Sequence, residues 1–93
     1  MSLQILSFIN LSDKQIEFLH KNRPGCNIVC RHPREAMDFL SYTDILLGYD
    51  AQINMDTLLF QMPKLQWVHT YSAGVENILS SASFSQSNIL LTN

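Results

Sequence analysis

The fold of this 93-residue chain is decided by residues 67–79, which read WVHTYSAGVENIL. A β-branched and aromatic run, typical of a buried strand, breaks at a small-residue loop and resumes as a helix with Glu76 in its first turn. The loop consists of Ser72, Ala73 and Gly74. A strand that feeds a helix through such a loop turns backbone N–H groups and the positive helix end toward the space above the sheet. The stretch therefore predicts a βα unit with a place for a carboxylate or phosphate.

Outward from this unit, the chain alternates between strand patterns and helix patterns. Five strands with short connections predict a parallel sheet with helices on both faces and right-handed crossovers. We expect a flavodoxin-like α/β fold with strand order 2-1-3-4-5. No linker divides the chain, so residues 1–93 are expected to form a single domain. The predicted strands are Leu3–Ile9, Asn27–Arg31, Asp44–Tyr49, Leu65–Thr70 and Asn88–Thr92.

Helix starts are marked by local signals. Ser12, with Gln15 three residues later, has the pattern of a capping box, and Asn54 can cap the third helix. Pro33 is suited to the first position of the second helix. The fourth helix is predicted from Val75 to about Ala82, followed by a serine-rich stretch that we expect to be a frayed helix end. The apolar residues expected to face the sheet are Ile16, Phe18 and Leu19 in the first helix and Ala36, Met37, Phe39 and Leu40 in the second.

Composition excludes several classes of protein. A net charge of −2 and a pI near 5.8 give no positive field for nucleic acid or an anionic membrane surface. No apolar run approaches the roughly 20 residues that a membrane-spanning helix needs, and no export signal is visible. Cys26 and Cys30 are the two cysteines. We therefore expect a cytoplasmic protein with reduced thiols.

Ligands of such a sheet bind beyond the carboxyl ends of the strands. The loops that this rule selects are Asn10–Ser12, Gly48–Asp50 and Tyr71–Gly74. The last is the best candidate, because Gly74 lets a ligand approach the backbone and its small neighbours leave amide groups unshielded. A tight βα turn in which glycine serves only the backbone is equally compatible with the pattern.

Other chemistry is less well supported. Cys26, Cys30 and His32 would share one face of an extended segment, but no second ligand pair follows, so inert thiols are favoured over zinc. His69 lies within the fourth strand and is expected to be a structural histidine. No Gly-x-Ser-x-Gly motif is present. The three glycines are far apart in sequence, which excludes a dinucleotide-binding Gly-x-Gly-x-x-Gly motif.

The stretch LQWVHTYSAGVENIL at residues 65–79, followed by NILLTN at 88–93, resembles the D-isomer-specific 2-hydroxyacid dehydrogenases. The match is to their N-terminal substrate-binding domain. The preceding segments DILLG and MPKL fit as well. The resemblance is therefore close over residues 44–93, whereas residues 1–43 agree only in the order of elements.

This resemblance implies an NAD(P)-dependent oxidoreductase acting on the CH–OH group, which interconverts 2-keto acids and D-2-hydroxy acids. It implies that the loop with Ser72 holds the substrate carboxylate through the amides of Ala73 and Gly74. Tyr49, in the candidate loop after the third strand, is expected to be a further substrate-binding residue. Glu76 stands where the family more often has aspartate, and Ser72-Ala73 replaces the commoner Gly-Val, which puts the substrate preference in doubt.

The family's dinucleotide domain, substrate-binding arginine and Glu–His pair lie beyond the position that matches Asn93. We therefore expect a substrate-domain fragment that binds neither NAD nor NADP and is inactive by itself. In the family a later helix covers part of this domain. Without it, we expect self-association near Ile89, Leu90 and Leu91, which a clean monomer in sedimentation would contradict.

Two other functions share the predicted fold. A stand-alone carboxylate-binding or interaction module without catalysis would use the same loop, and the sequence does not separate it from the dehydrogenase fragment. A phosphoacceptor receiver domain would need an acidic pair after the first strand and a lysine after the fifth. The sequence has neither, so this function is rejected.

Overall fold

A computed structural model describes residues 3–49, 53–70 and 75–92 of the chain. Its strands are β1 (Gln4–Ser7), β2 (Asn27–Cys30), β3 (Ile45–Leu47), β4 (Trp67–His69) and β5 (Leu90–Thr92). They form one sheet in the order β2-β1-β3-β4-β5, and every neighbouring pair is parallel. The flavodoxin-like α/β fold and its strand order are thus confirmed, although each strand is shorter than predicted.

Four α-helices and two 3₁₀ segments connect the strands in the described part of the chain. The 3₁₀ segments are Pro33–Glu35 and Met37–Tyr42. The α-helices are α1 (Asp13–Asn22), α2 (Met55–Phe60), α3 (Val75–Leu79) and α4 (Ala82–Ser85).

The main core lies on one face of the sheet. The side chains of Leu6, Leu46 and Val68, at paired positions on the three central strands, are each 0% exposed. The helices after β2 pack on this face and contribute buried residues that include Leu40, Met55, Leu58, Ile78 and Phe84. The opposite face has a smaller cluster built on Ile5, Leu47 and Cys26.

The helix α1 begins as predicted but is less buried than predicted. The Ser12 hydroxyl accepts from the Gln15 amide at 3.1 Å, and the Gln15 side chain accepts from the Ser12 amide at 2.8 Å, which confirms the capping box. Ile16 and Leu19 are half-buried, whereas Phe18 is 65% exposed. The prediction that Phe18 faces the sheet is wrong, because the apolar stripe of α1 is narrower than the sequence pattern indicated.

The predicted second helix forms the two 3₁₀ segments instead of one α-helix. Ala36 and Leu40 are buried as expected, but Met37 is 62% exposed. The predicted stripe assumed 3.6 residues per turn, whereas a 3₁₀ segment has three. The helix is interrupted at Ala36, so the side chains that follow are rotated about the helix axis relative to a continuous α-helix. The prediction that Met37 faces the sheet is therefore wrong.

The serine-rich stretch is a second short helix and not a frayed end. Ser81 precedes α4, and its hydroxyl accepts from the Phe84 amide at 3.1 Å. The same hydroxyl donates to the Asp56 carboxylate at 2.6 Å, and the Ser83 amide donates to that carboxylate at 3.1 Å. Serine competes for backbone groups inside helices but favours the capping position. Here it ends one helix and starts the next, which allows Phe84 to be buried.

Asp56 should make the stability of the domain depend on pH. The hydrogen bonds from Ser81 and Ser83 favour the charged carboxylate and lower the pKa of Asp56 from its ordinary value. The unfolded chain therefore takes up this proton at higher pH than the folded chain. The stabilisation is complete above about pH 4 and is lost as the pH falls through the folded pKa.

Urea unfolding from pH 7 to pH 3 tests this. We expect Asp56→Asn to be less stable than the wild type at pH 7, with a difference that narrows on acidification. Glu17→Gln, which removes an exposed carboxylate on α1, is the control and should show no comparable narrowing. A pH-independent difference for Asp56→Asn would contradict the assignment.

Candidate functional site

The carboxyl ends of the strands meet along one edge of the sheet. Leu47, His69 and Thr92 are paired across β3, β4 and β5 and are the last residues of these strands. Gly48 and Thr70, which follow the first two of these residues, donate to the His69 and Thr92 carbonyls and therefore lie at this edge. The predicted site residues Ser72, Ala73 and Gly74 lie outside the described residues, and their role stays a prediction.

Tyr49 and its neighbour Gly48 are the site residues of the second loop that the structure describes. Gly48 adopts a positive φ of 73° and its amide donates to the His69 carbonyl at 2.9 Å, which ties the end of β3 to β4. The Tyr49 ring is buried in the main core, and its hydroxyl donates to the Ile53 carbonyl. These contacts give Tyr49 a structural role. Its predicted contact with substrate stays a prediction.

Three polar groups, on Trp67, His69 and Thr92, are linked by hydrogen bonds at the carboxyl ends of β4 and β5. The Trp67 indole N–H donates to Thr92 Oγ1 at 2.7 Å, and His69 Nδ1 lies 2.6 Å from the same oxygen. Because the indole can only donate, Thr92 Oγ1 accepts from Trp67, and the direction of its hydrogen bond with His69 depends on the tautomer of His69. The contacts agree with the structural histidine expected from sequence.

A groove runs between α1 and the sheet on the face opposite the main core. It is a cavity of about 390 Å³. We call it the α1 groove. Its helix side consists of Leu11, Lys14, Gln15, Phe18 and Leu19. Its strand side consists of Leu47, Trp67 and His69.

The α1 groove was not predicted from the sequence, although a signal for it was present. Trp67 and His69 alternate with Val68, so they point to the face opposite the main core. Among the described connections, the one from β1 to β2 runs along the strand order in the direction opposite to the other three. With right-handed crossovers, it places its helix α1 on the face that carries Trp67 and His69. A large aromatic residue on the less covered face was the observation that could have revealed the groove.

A second and wider cavity, of about 760 Å³, lies at the opposite edge of the sheet. It is bordered by α2 and α4 and by Leu65 and Asn88, which precede β4 and β5. The carboxylate of Asp56 faces it but is already bonded to Ser81 and Ser83. Because it lies at the amino ends of the strands, it is remote from the edge where ligands of this fold bind.

The described part of the chain contains neither a metal-binding group nor a disulfide. In residues 3–49, 53–70 and 75–92, no three His, Cys, Asp or Glu side chains are grouped so that they could hold a metal ion. Cys26 is a buried free thiol and Cys30 a half-buried one. None of the described helices has the length and apolar character needed to cross a membrane.

Three features of the described residues thus bear on function: the carboxyl edge beside β4, the buried Tyr49 next to it, and the α1 groove. Comparison of the chain with protein-family models, with curated proteins and with solved structures finds no match.

Proposed function

We propose that this chain is the substrate-binding domain of an NAD(P)-dependent D-2-hydroxyacid dehydrogenase, which interconverts 2-keto acids and D-2-hydroxy acids. One observation carries the proposal. β4 ends at His69 on the carboxyl edge of a parallel sheet, and α3 begins at Val75. Residues 72–74 therefore join a strand to the start of a helix at the edge where this fold binds ligands.

Each part of the site has a defined task in this proposal. The amides of Ala73 and Gly74 hold the substrate carboxylate, assisted by Ser72. Because backbone N–H groups only donate hydrogen bonds, the contact favours an anion. Glu76, which is exposed in the first turn of α3, stabilises that helix through its dipole. NAD or NADP would be bound by a further domain, which also supplies the catalytic acid–base pair.

An NMR titration tests the carboxylate site. We expect pyruvate and glyoxylate at millimolar concentration to shift the amide signals of residues 72–76 in a saturable way. Methyl pyruvate keeps the ketone but has no charge, so it is the matched control and should leave these signals in place. The amides of Gln4 and Asn27, at the amino ends of β1 and β2 and therefore remote from the carboxyl edge, serve as internal references. No shift at millimolar pyruvate would contradict the proposed function.

The alternative of a stand-alone carboxylate-binding or interaction module uses the same loop. The mass of the native polypeptide in its source cells separates the two. A species heavier by a further domain of about 100–150 residues supports the dehydrogenase. A species of 10.7 kDa, the mass of this chain, supports the module.

Self-association also stays a prediction, and its structural support is the edge strand. Leu90 is 57% exposed on β5, whereas Ile89 and Leu91 are half-buried against the main core. An exposed leucine on an edge strand favours contact between copies. The expected contact is therefore centred on Leu90 and not on the three residues equally.

A further inference from the structure

In residues 3–49, 53–70 and 75–92, the topology leaves one face of the sheet with a single helix, α1. The connection from β1 to β2 runs in one direction along the sheet, and the three later connections run in the other. Right-handed crossovers then place α1 on one face and the later helices on the opposite face. Leu47, Trp67 and His69 lie on the α1 face, at paired positions of β3 and β4.

The helix α1 covers this face without filling it. None of its residues is buried. A groove of about 390 Å³, open to solvent, remains between α1 and the strands. That volume is in the range of small-molecule pockets, roughly 300–1,000 Å³. It suits one small ligand with an apolar body, which would lie against Trp67 and beneath Phe18.

The charge of the groove selects the type of ligand. Its described walls carry one cationic side chain, Lys14, and no carboxylate. The side-chain oxygen of Gln15 is already engaged within the helix, because it accepts a hydrogen bond from the Ser12 amide. Lys14 lies in the N-terminal turn of α1 next to Asp13, which complements the dipole of that helix and does not line the groove. A negatively charged head group is therefore complementary to the helix side of the groove.

We propose that the α1 groove binds an amphiphilic monocarboxylate, with its apolar chain or ring between Phe18 and Trp67 and its carboxylate beside Lys14. This site is assigned contacts from Lys14, Phe18 and Trp67 and none from residues 72–74. It does not depend on the dehydrogenase proposal, because it requires neither a 2-keto group nor a second domain.

Trp67 is the single tryptophan of the chain and lines the groove, so its fluorescence reports on binding directly. We expect octanoate to shift the Trp67 emission to shorter wavelength with saturation in the micromolar to millimolar range. Octanamide, with the same chain and no charge, should bind about three- to fivefold more weakly, as expected for a partly exposed ion pair. Binding should also raise the melting temperature, because the ligand fills a cavity of the folded state.

Two lysine variants test the position of the carboxylate. Lys14→Gln should weaken octanoate binding about three- to fivefold and leave octanamide binding unchanged. Lys21→Gln is the matched control on the same helix, since Lys21 does not line the groove. Phe18→Ala should weaken both ligands. Because Phe18 is exposed, this variant is expected to remain folded, which circular dichroism verifies.

Three results would overturn the proposal. The first is an unchanged Trp67 emission at millimolar octanoate. The second is equal affinity for octanoate and octanamide with no effect of Lys14→Gln, which would leave a purely apolar surface. The third is a shift of Trp67 emission that follows protein concentration and not octanoate, which would assign the groove to a second copy of the chain. Pyruvate-induced shifts at residues 72–76 are read separately, so the failure of one proposal is distinguishable from that of the other.

Discussion

Replacing Gly48 with alanine should destabilise the domain by about 2–4 kcal/mol. The φ of +73° at this position costs an L-residue about 1–2 kcal/mol. In addition, a Cβ at Gly48 would lie 2.8 Å from Cγ2 of Ile9, a contact that forces a shift of the Ile9 side chain. Overpacking of this kind costs about 1–3 kcal/mol. Ile9 is 37% exposed and can partly move aside, which limits the second contribution.

Gly25→Ala is the matched control for this effect. Gly25 also has a positive φ, of 90°, but a Cβ there would have no atom within 4 Å. Its cost should therefore be the backbone contribution only, about 1–2 kcal/mol. Urea unfolding of both variants measures the difference. Equal losses of stability would mean that the Ile9 side chain moves aside without cost. The close approach of Ile9, after β1, to Gly48, after β3, would then not limit the size of the residue at position 48.

The parts of the fold that the sequence predicted correctly depend on local interactions. The capping box at Ser12 and the cap at Asn54, whose side chain accepts from the Thr57 amide at 3.0 Å, involve residues three apart in sequence. Strand order was also predictable, because short right-handed connections leave few arrangements for five alternating strands. Such features follow from near neighbours in sequence and from the chirality of the chain.

The wrong predictions concern contacts between elements remote in sequence. Phe18 reads as part of an apolar helix stripe, and only the position of α1 over the sheet shows that it is exposed. Ser81 reads as part of a frayed end, because its partner Asp56 lies 25 residues earlier. The α1 groove has the same origin, since it brings Lys14 and Trp67 together across more than half of the chain.

The largest loss of stability is expected for Leu46→Ala. Leu46 is 0% exposed on the central strand β3, between Leu6 and Val68 on the neighbouring strands, which are also 0% exposed. Removing a leucine side chain at a rigid, fully enclosed site costs about 3–5 kcal/mol, because the surroundings collapse only partly into the cavity. A domain of this size has about 5–14 kcal/mol of total stability. The variant should therefore lose a large share of the stability of the domain and unfold at a much lower urea concentration than the wild type.

Leu90→Ala is the appropriate control, because it makes the same chemical change on the edge strand of the same sheet. Leu90 is 57% exposed, so its truncation should cost less than about 1 kcal/mol. Urea midpoints with unchanged slopes would give the two values directly. If both variants lost the same stability, burial on the Leu6–Leu46–Val68 face would not be the main source of stability. Leu46 and Val68 directly precede Leu47 and His69, the last residues of β3 and β4 at the carboxyl edge. In that case, the buried core would not hold the carboxyl edge in position.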